Sequence, residues 1–320
     1  MAALPDRYAD PVVELRRISA EQLEPLLEEE TGEWRSELDW DFRLSGDLVR
    51  RFVHMQALSG FALMHGAYAA GYCYYVCEEG KGLIGDLYVR RAFRTLENEN
   101  ILLGAVLDAV WRSAGVRRVE AQLMMLSSPL ERSIPRHNWF HSYPRYFLEA
   151  PLERVTTLPT KPHAGSSIVP WTVNRHDQTA RLIAQAYQGH VDSQINDQYR
   201  SPGGARRFLT NIVQYPGCGA FFPLASLAAI DAEGRLRGVS LASLVAADIG
   251  HITQVCVAAS ERGTGLGYEL VRQSMVTLAA HGCRSVSLTV TASNETAVGL
   301  YQRMGFTNRR NFAAYVWESP

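Results

Sequence analysis

Residues 262–267 read Arg262-Gly263-Thr264-Gly265-Leu266-Gly267, directly after the apolar stretch 251–257 and directly before a helical pattern whose apolar face includes Leu266, Leu270 and Leu278. Strand, glycine turn and helix in that order make an anion cradle. Glycine lets main-chain N–H groups converge and a ligand approach the backbone, while the unpaired N–H groups and dipole of a helix start favour negative charge. A pyrophosphate suits such a turn. The loop lacks the Gly-Lys-Ser/Thr ending of a triphosphate loop, and it has neither the first-strand position nor the downstream ribose-binding acid of a dinucleotide fold.

Working outward, the same plan occurs twice. In the second half a strand over 251–257 leads through Arg262 into a helix from about 265, then Gly282 and a strand over 284–291. In the first half a strand over 83–89 leads through Arg94 into a helix from about 97, then Gly115 and a strand over 117–124. Arg94 and Arg262 stand 168 positions apart, Gly115 and Gly282 167 apart, so the spacing implies an internal duplication. The turn-rich residues Pro159, Pro162 and Gly165 mark a linker. The expected division is a domain at 1–154, a linker at 155–166 and a domain at 167–320, which agrees with a length of 320 residues.

Composition narrows the class. With 47% hydrophobic and 20% charged residues and a net charge of −1, disordered, collagenous and fibrous chains are excluded. No apolar run reaches the roughly 18 residues of a membrane span, and the acid-rich start is unlike a secretory leader. A cytoplasmic protein without membrane contact is expected. Cys73, Cys77, Cys218, Cys256 and Cys283 form no C-x-x-C pair, so neither a disulfide framework nor a metal site is expected. Residues 1–154 hold 18 basic and 23 acidic residues; the remainder holds 14 and 10. The second half is therefore mildly basic, suited to a small anion, but it has no Lys/Arg stripe of the kind that binds nucleic acid. The acidic stretch 21–41 reads as a solvated helix face and loop.

The loop resembles the signature Arg/Gln-x-x-Gly-x-Gly/Ala of the GNAT superfamily of acyl-CoA-dependent N-acetyltransferases, filled here by Arg262, Gly265 and Gly267. A second element, Asn294 through Tyr301 to Gly305-Phe306, is similar to the helix that follows the fifth strand in that family. The resemblance implies an α/β protein of two tandem GNAT folds, each a mixed, mostly antiparallel twisted sheet flanked by helices. It also implies acetyl-CoA as acyl donor, with its pantetheine arm bonded to main-chain groups near Cys256 and Val257. Arg262, Gly263, Thr264, Gly265, Leu266 and Gly267 would hold the pyrophosphate, and Asn294 would contact the arm. Tyr301 lies seven residues beyond Asn294, two helical turns on the same face, and takes the role of general acid toward the leaving thiolate. The acceptor would be a primary amine of a small molecule or peptide, acetylated by direct transfer in a ternary complex. The tandem layout resembles that of mycothiol synthase-like enzymes.

Amine acetylation requires loss of an ammonium proton, and His251, eleven residues before Arg262, is the leading base because an imidazole titrates near neutrality. Gln254 is a candidate for orienting water. Strand alternation puts His251 and Gln254 on opposite faces unless a bulge intervenes. Main-chain N–H groups around Val257 are candidates for holding a developing oxyanion. For the acceptor, the polar region 187–219 offers His190, Asp192, Asn196 and Tyr199. At the matching loop the first half carries Glu97 and Glu99 in place of glycines, so no acyl-CoA site is expected there. Two other readings stay open: a Fem-type aminoacyl transferase, which also pairs two such folds, and a non-catalytic acyl-CoA-sensing scaffold. Either a monomer or a homodimer is compatible with the sequence.

Overall fold

The glycine loop and its glycine-free counterpart in the first half both lie between a strand and a helix. The computed structural model describes residues 12–130, 132–136, 139–161, 165–215 and 217–318. The expected linker positions 162–164, the first eleven residues and Pro216 lie outside the described residues. In the first half the elements are β1 (Val12–Glu14), α1 (Ala20–Leu38), α2 (Arg43–His54), β2 (Ser59–His65), β3 (Tyr68–Glu78), β4 (Lys81–Val89), α3 (Leu96–Arg112) and β5 (Arg118–Gln122). Then come β6 (Phe140–Pro151), β7 (Ser166–Pro170), α4 (His176–Ala186), α5 (Asp192–Ile195), α6 (Pro202–Gln214), β8 (Ala220–Phe221) and β9 (Leu227–Asp231). The chain ends with β10 (Leu236–Ala246), β11 (Ile249–Val257), α7 (Leu266–Ala280), β12 (Ser285–Thr291), α8 (Glu295–Arg303) and β13 (Thr307–Glu318). No helix among the described residues is long and apolar enough to cross a membrane.

Contacts divide the chain into two units. The first comprises the described residues of Met1–Trp34, Phe42–Ser142 and Phe312–Pro320; the second comprises Arg35–Asp41 and those of Tyr143–Asn311. This division differs from a cut at the turn-rich stretch. β6 precedes that stretch yet pairs with β12 over seven residues, from Arg145↔Thr291 to Pro151↔Ser285, and the end of β13 pairs with β5. Each strand covers a sheet edge whose N–H and C=O groups would otherwise stand open.

In the first unit β1, β2, β3 and β4 pair antiparallel in sequence order, β5 lies parallel to β4, and β13 antiparallel to β5. Leu102, Leu103, Val106, Leu107 and Val110 recur at helical spacing on α3 and are fully buried with Ile84, Leu87 and Val119 of the sheet. The acids of α1 depart from the expected solvated face. Glu33 is held by Arg94 through two bonds of 2.7 Å. Glu30 is fully buried, accepts from the Tyr72 hydroxyl at 3.0 Å and lies beside Asp86, so burial pushes its carboxyl well above the usual carboxylate range. The helix turns part of its charge inward.

The second unit is also mixed and mostly antiparallel: β6, β12, β11, β10, β9 and β7 lie side by side, with β8 on β10. One face packs Val271, Met275 and Leu278 of α7 on Ile252, Val286 and Leu288. The other packs Ile183 of α4 and Leu209 of α6 on Val239, Leu241 and Cys256. The duplication extends to a local irregularity. In β4 the register passes from Ile84 to Asp86 and skips Gly85; in β11 it passes from Ile252 to Gln254 and skips Thr253, 168 positions later. A Cβ at Gly85 would stand 2.0 Å from the Tyr74 ring, so that bulge requires glycine.

Candidate functional site

Two departures from regular structure build the site in the second unit. The first is a gap. β11 and β12 are parallel partners only from Ile249↔Ser285 to Ile252↔Leu288, although β11 continues to Val257 and β12 to Thr291. Beyond Ile252, β10 is the one strand among the described residues that pairs with β11. Val239 opposes Cys256, and the Ala258 N–H donates to the Arg237 carbonyl, so alternation turns Val255 and Val257 main-chain groups toward the gap and those of Cys256 toward β10. The Val255 carbonyl accepts from the Tyr187 hydroxyl at 3.4 Å, in keeping with that direction. Of the two residues expected to offer main-chain bonds, Val257 is oriented for it and Cys256 is not; the Cys256 side chain lies in the core.

The second departure is the glycine loop. Gly263 and Gly265 have φ of +79° and +94°, left-handed values that residues with a Cβ seldom adopt. Gly265 is the N-cap of α7 and its position brings no side-chain cap; the Thr264 hydroxyl donates to the Glu261 carbonyl at 2.7 Å and accepts weakly from the Leu266 N–H at 3.4 Å. Apart from that weak contact at Leu266, the first N–H groups of α7, at Gly267 and Tyr268, have no hydrogen-bond partner among the described residues, the donor set that a phosphate group fits. Gly267 leaves its near side clear, since a Cβ there would come no closer than 3.8 Å to Val257. Arg262 behaves differently from its expected role. Its Nη2 donates to the Ala186 carbonyl at 2.6 Å, closing the C-terminal end of α4.

The bulge at Thr253 settles the alternation question, because it rotates Gln254 onto the face of His251. Gln254 is buried and donates from Nε2 to the Tyr187 hydroxyl at 2.9 Å, while its Oε1 accepts from the Tyr199 hydroxyl at 3.4 Å. The Tyr187 and Tyr199 rings stack at 4.4 Å. His190 lies edge-on to Tyr187 at 5.2 Å, its Nδ1 accepts from the Asp192 N–H at 3.1 Å, and its Nε2 lies 3.2 Å from the Asn294 amide nitrogen. Asp192 accepts from the Thr291 hydroxyl at the end of β12. Tyr301 is half-buried, and its hydroxyl has no hydrogen-bond partner among the described residues; burial and the Asp192 carboxylate push its pKa up to about 12. Thus Gln254, His190, Asp192, Tyr199, Asn294 and Tyr301 converge. Asn196 stays apart, capping the turn at Gln198 through its side-chain oxygen at 3.0 Å. Tyr187 and Thr291 join the group without having been singled out from sequence. A cavity of about 810 Å³ on a different face of α8 is lined by Tyr146, Glu295, Val298, Gln302 and Asn308.

His251 sits in the core, between Trp40 at 5.1 Å and Phe147 at 6.2 Å, with Nδ1 2.9 Å from the Ser287 hydroxyl. Desolvation alone pushes its pKa down to about 3. An imidazole so held is neutral across the working range and is a weak proton acceptor, which disfavours the expected base role. It has a stability signature instead. The folded pKa lies below the unfolded value near 6.5, so stability is complete above pH 6.5 and falls as pH drops, by about 1.4 kcal/mol per unit. Wild type should lose about 2 kcal/mol between pH 6.5 and 5 relative to His251→Gln, whose pH–rate profile keeps the same shape. Denaturant melts at the two pH values test this, and parallel losses in both proteins would refute it.

In the first unit the corresponding loop is closed from within. The Thr95 hydroxyl accepts from the Asn98 N–H at 3.1 Å and caps α3. Glu99, at the position of Gly267, is buried and accepts from the Ser127 N–H and hydroxyl at 3.0 and 2.8 Å and from Arg132 at 2.7 Å. An internal carboxylate thus meets donors at this end of the sheet. Among the described residues no α-helix follows β5 where α8 follows β12.

The model of the Acetyltransferase (GNAT) family matches residues 194–306. The chain is similar to mycothiol acetyltransferases, at 38% identity over 68 residues for that of Corynebacterium glutamicum strain R, covering 21% of this chain and 23% of the relative. For that of Paenarthrobacter aurescens strain TC1 the identity is 36% over 91 residues, covering 27% and 28%. The matched stretch thus spans about a quarter of these relatives. Among solved structures, a GCN5-related N-acetyltransferase from Sphaerobacter thermophilus superposes with a TM-score of 0.67 at 17% identity, covering 99% of this chain and 97% of that one. A tandem GNAT protein from the clavulanic acid biosynthesis pathway gives 0.61 at 16%, covering 97% and 99%. At such identities the likeness speaks to the fold, over both units.

Proposed function

We propose that this chain, a member of the GNAT acetyltransferase family built as two copies of the fold in tandem, transfers an acetyl group from acetyl-CoA to a primary amine of a small molecule or peptide, using the second unit alone. The observation that carries this reading is the open end of the β11–β12 ladder, with an uncapped glycine loop beside it and a cluster of Tyr, Gln, His and Asp side chains across it. Acetyl-CoA would supply an activated thioester. Main-chain groups of Val255 and Val257 would bond its pantetheine arm, and N–H groups of the 262–267 loop and the first turn of α7 would hold its pyrophosphate.

Tyr301 keeps its proton throughout the neutral range and gives it to the departing sulfur. Asp192, next to His190, attracts a cationic amine, and water ordered by Gln254 carries off the proton that the amine must lose. Stacked Tyr187 and Tyr199 form a wall that keeps this exchange out of bulk water. His251 acts at a distance, as a packed neutral ring that fixes β11 against Trp40 and Phe147. Transfer is direct in this reading: the Cys256 side chain lies in the core, and burial pushes the thiol of Cys218, near Tyr199, up and away from the thiolate that a nucleophile needs.

Incubating the protein with acetyl-CoA and a panel of amines should release thiol only when a suitable amine is present. Tight CoA binding with no amine-dependent release across the panel would instead favour an acyl-CoA-sensing protein. The uncapped loop argues against the aminoacyl-tRNA reading, since that donor carries no coenzyme pyrophosphate to place there.

A further inference from the structure

We propose that Lys161, in the segment before β7, is the cation that completes the anion cradle at 262–267 and pairs with the pyrophosphate of the coenzyme; this rests on the acyl-CoA reading above. The loop needs such a charge, because the arginines around it are spent elsewhere. Arg262 is turned onto the Ala186 carbonyl. Arg237 binds Glu261 at 2.6 Å and the Ser260 hydroxyl at 2.9 Å. Arg272 binds Glu269 at 2.6 and 2.9 Å. Each of the two ion pairs is locally neutral and offers little to a doubly charged ligand.

Lys161 is placed otherwise. A Cβ built on Gly265 would lie 3.3 Å from Lys161 Cδ, so the lysine stem rests against the left-handed glycine at the centre of the cradle. Its backbone is pinned there from two sides. The Lys161 N–H donates to Glu269 Oε2 at 3.0 Å, and the Tyr268 hydroxyl donates to the Pro159 carbonyl at 2.8 Å. The ammonium stands 4.9 Å from the centre of the Tyr268 ring, and no carboxylate among the described residues pairs with it. A cation resting on an aromatic face, on a flexible stem, gives up only a weak contact to reach an anion nearby. The first unit has an acid, Glu97, where Gly265 stands, and the other lysine of the chain, Lys81, is buried against Glu120 at 3.2 Å. That contrast makes Lys161 readable by amine chemistry.

Reductive methylation followed by peptide mass spectrometry measures the reactivity of Lys161 directly, using S-ethyl-CoA and its 3′-dephospho analogue as unreactive probes, with binding of each verified by calorimetry. Both probes should slow methylation of Lys161 about tenfold, and Lys161→Met should weaken S-ethyl-CoA binding by a similar factor while Lys161→Arg restores it, the size expected of one charge-assisted bond. Unchanged labelling of Lys161 under demonstrated probe binding would overturn the proposal. So would protection by S-ethyl-CoA but not by its dephospho analogue, which would assign the lysine to the 3′-phosphate. Failure of S-ethyl-CoA to bind wild type at all would overturn the acyl-CoA reading itself, and the proposal with it.

Discussion

Tyr301→Phe should lower kcat for acetyl transfer by about 10²- to 10³-fold while changing the Kd for CoA by no more than about twofold. The size follows from the role. A general acid contributes roughly two to four orders of magnitude, and the phenyl ring keeps the packing of Tyr301 on Phe306 at 5.7 Å, so the hydroxyl alone is removed. That hydroxyl is the one in the tyrosine cluster without a partner among the described residues; those of Tyr187 and Tyr199 are engaged by Gln254 or the Val255 carbonyl. The pH dependence follows the same logic. A general acid works in its protonated form, and with a pKa of about 12 Tyr301 retains its proton until far above neutrality. The alkaline limb of the wild-type kcat profile should therefore lie above about pH 10. Steady-state kinetics from pH 6 to 10 would contradict the assignment by showing a fall in kcat near pH 8, or a phenylalanine variant with wild-type kcat.

Gly265→Glu should raise the Kd for CoA more than about 100-fold. Three costs act together. The φ of +94° disfavours any side chain by roughly 1–2 kcal/mol, a Cβ meets Lys161 at 3.3 Å, and a carboxylate repels phosphate at the helix start. The substitution reproduces the acid that the first unit already carries as Glu97, where the helix is capped by Thr95. Calorimetry gives the affinity, and far-ultraviolet circular dichroism should show the fold retained. A folded variant that binds CoA as wild type does would place the pyrophosphate elsewhere.

Local pattern carried much of this into the sequence. The glycine hexapeptide between an apolar strand and an amphipathic helix needs only neighbours a few residues away, and α3 and α7 begin within a residue of where they were expected. The seven-residue spacing of Asn294 and Tyr301 survives as the cap and the inner face of α8. What stayed hidden depends on long-range pairing. The bulge at Thr253 reverses the facing of Gln254, and no residue type announces it in β11, whereas Gly85 marks its counterpart in β4. Trp40, more than two hundred positions away, turns His251 from a base candidate into a core residue. The departure of β6 and of the end of β13 from the sequential halves follows from which sheet edges remain open, a property of the assembled sheet. Tyr187 was passed over because it reads as the last turn of α4; its hydroxyl matters only once Gln254 is rotated toward it.

One unit of the two holds the coenzyme in this reading, and titration calorimetry with CoA counts the sites. Wild type should bind one equivalent per chain, and Gly265→Glu should bind none at the same concentrations. Two equivalents in wild type, or a single equivalent that survives Gly265→Glu, would contradict the account.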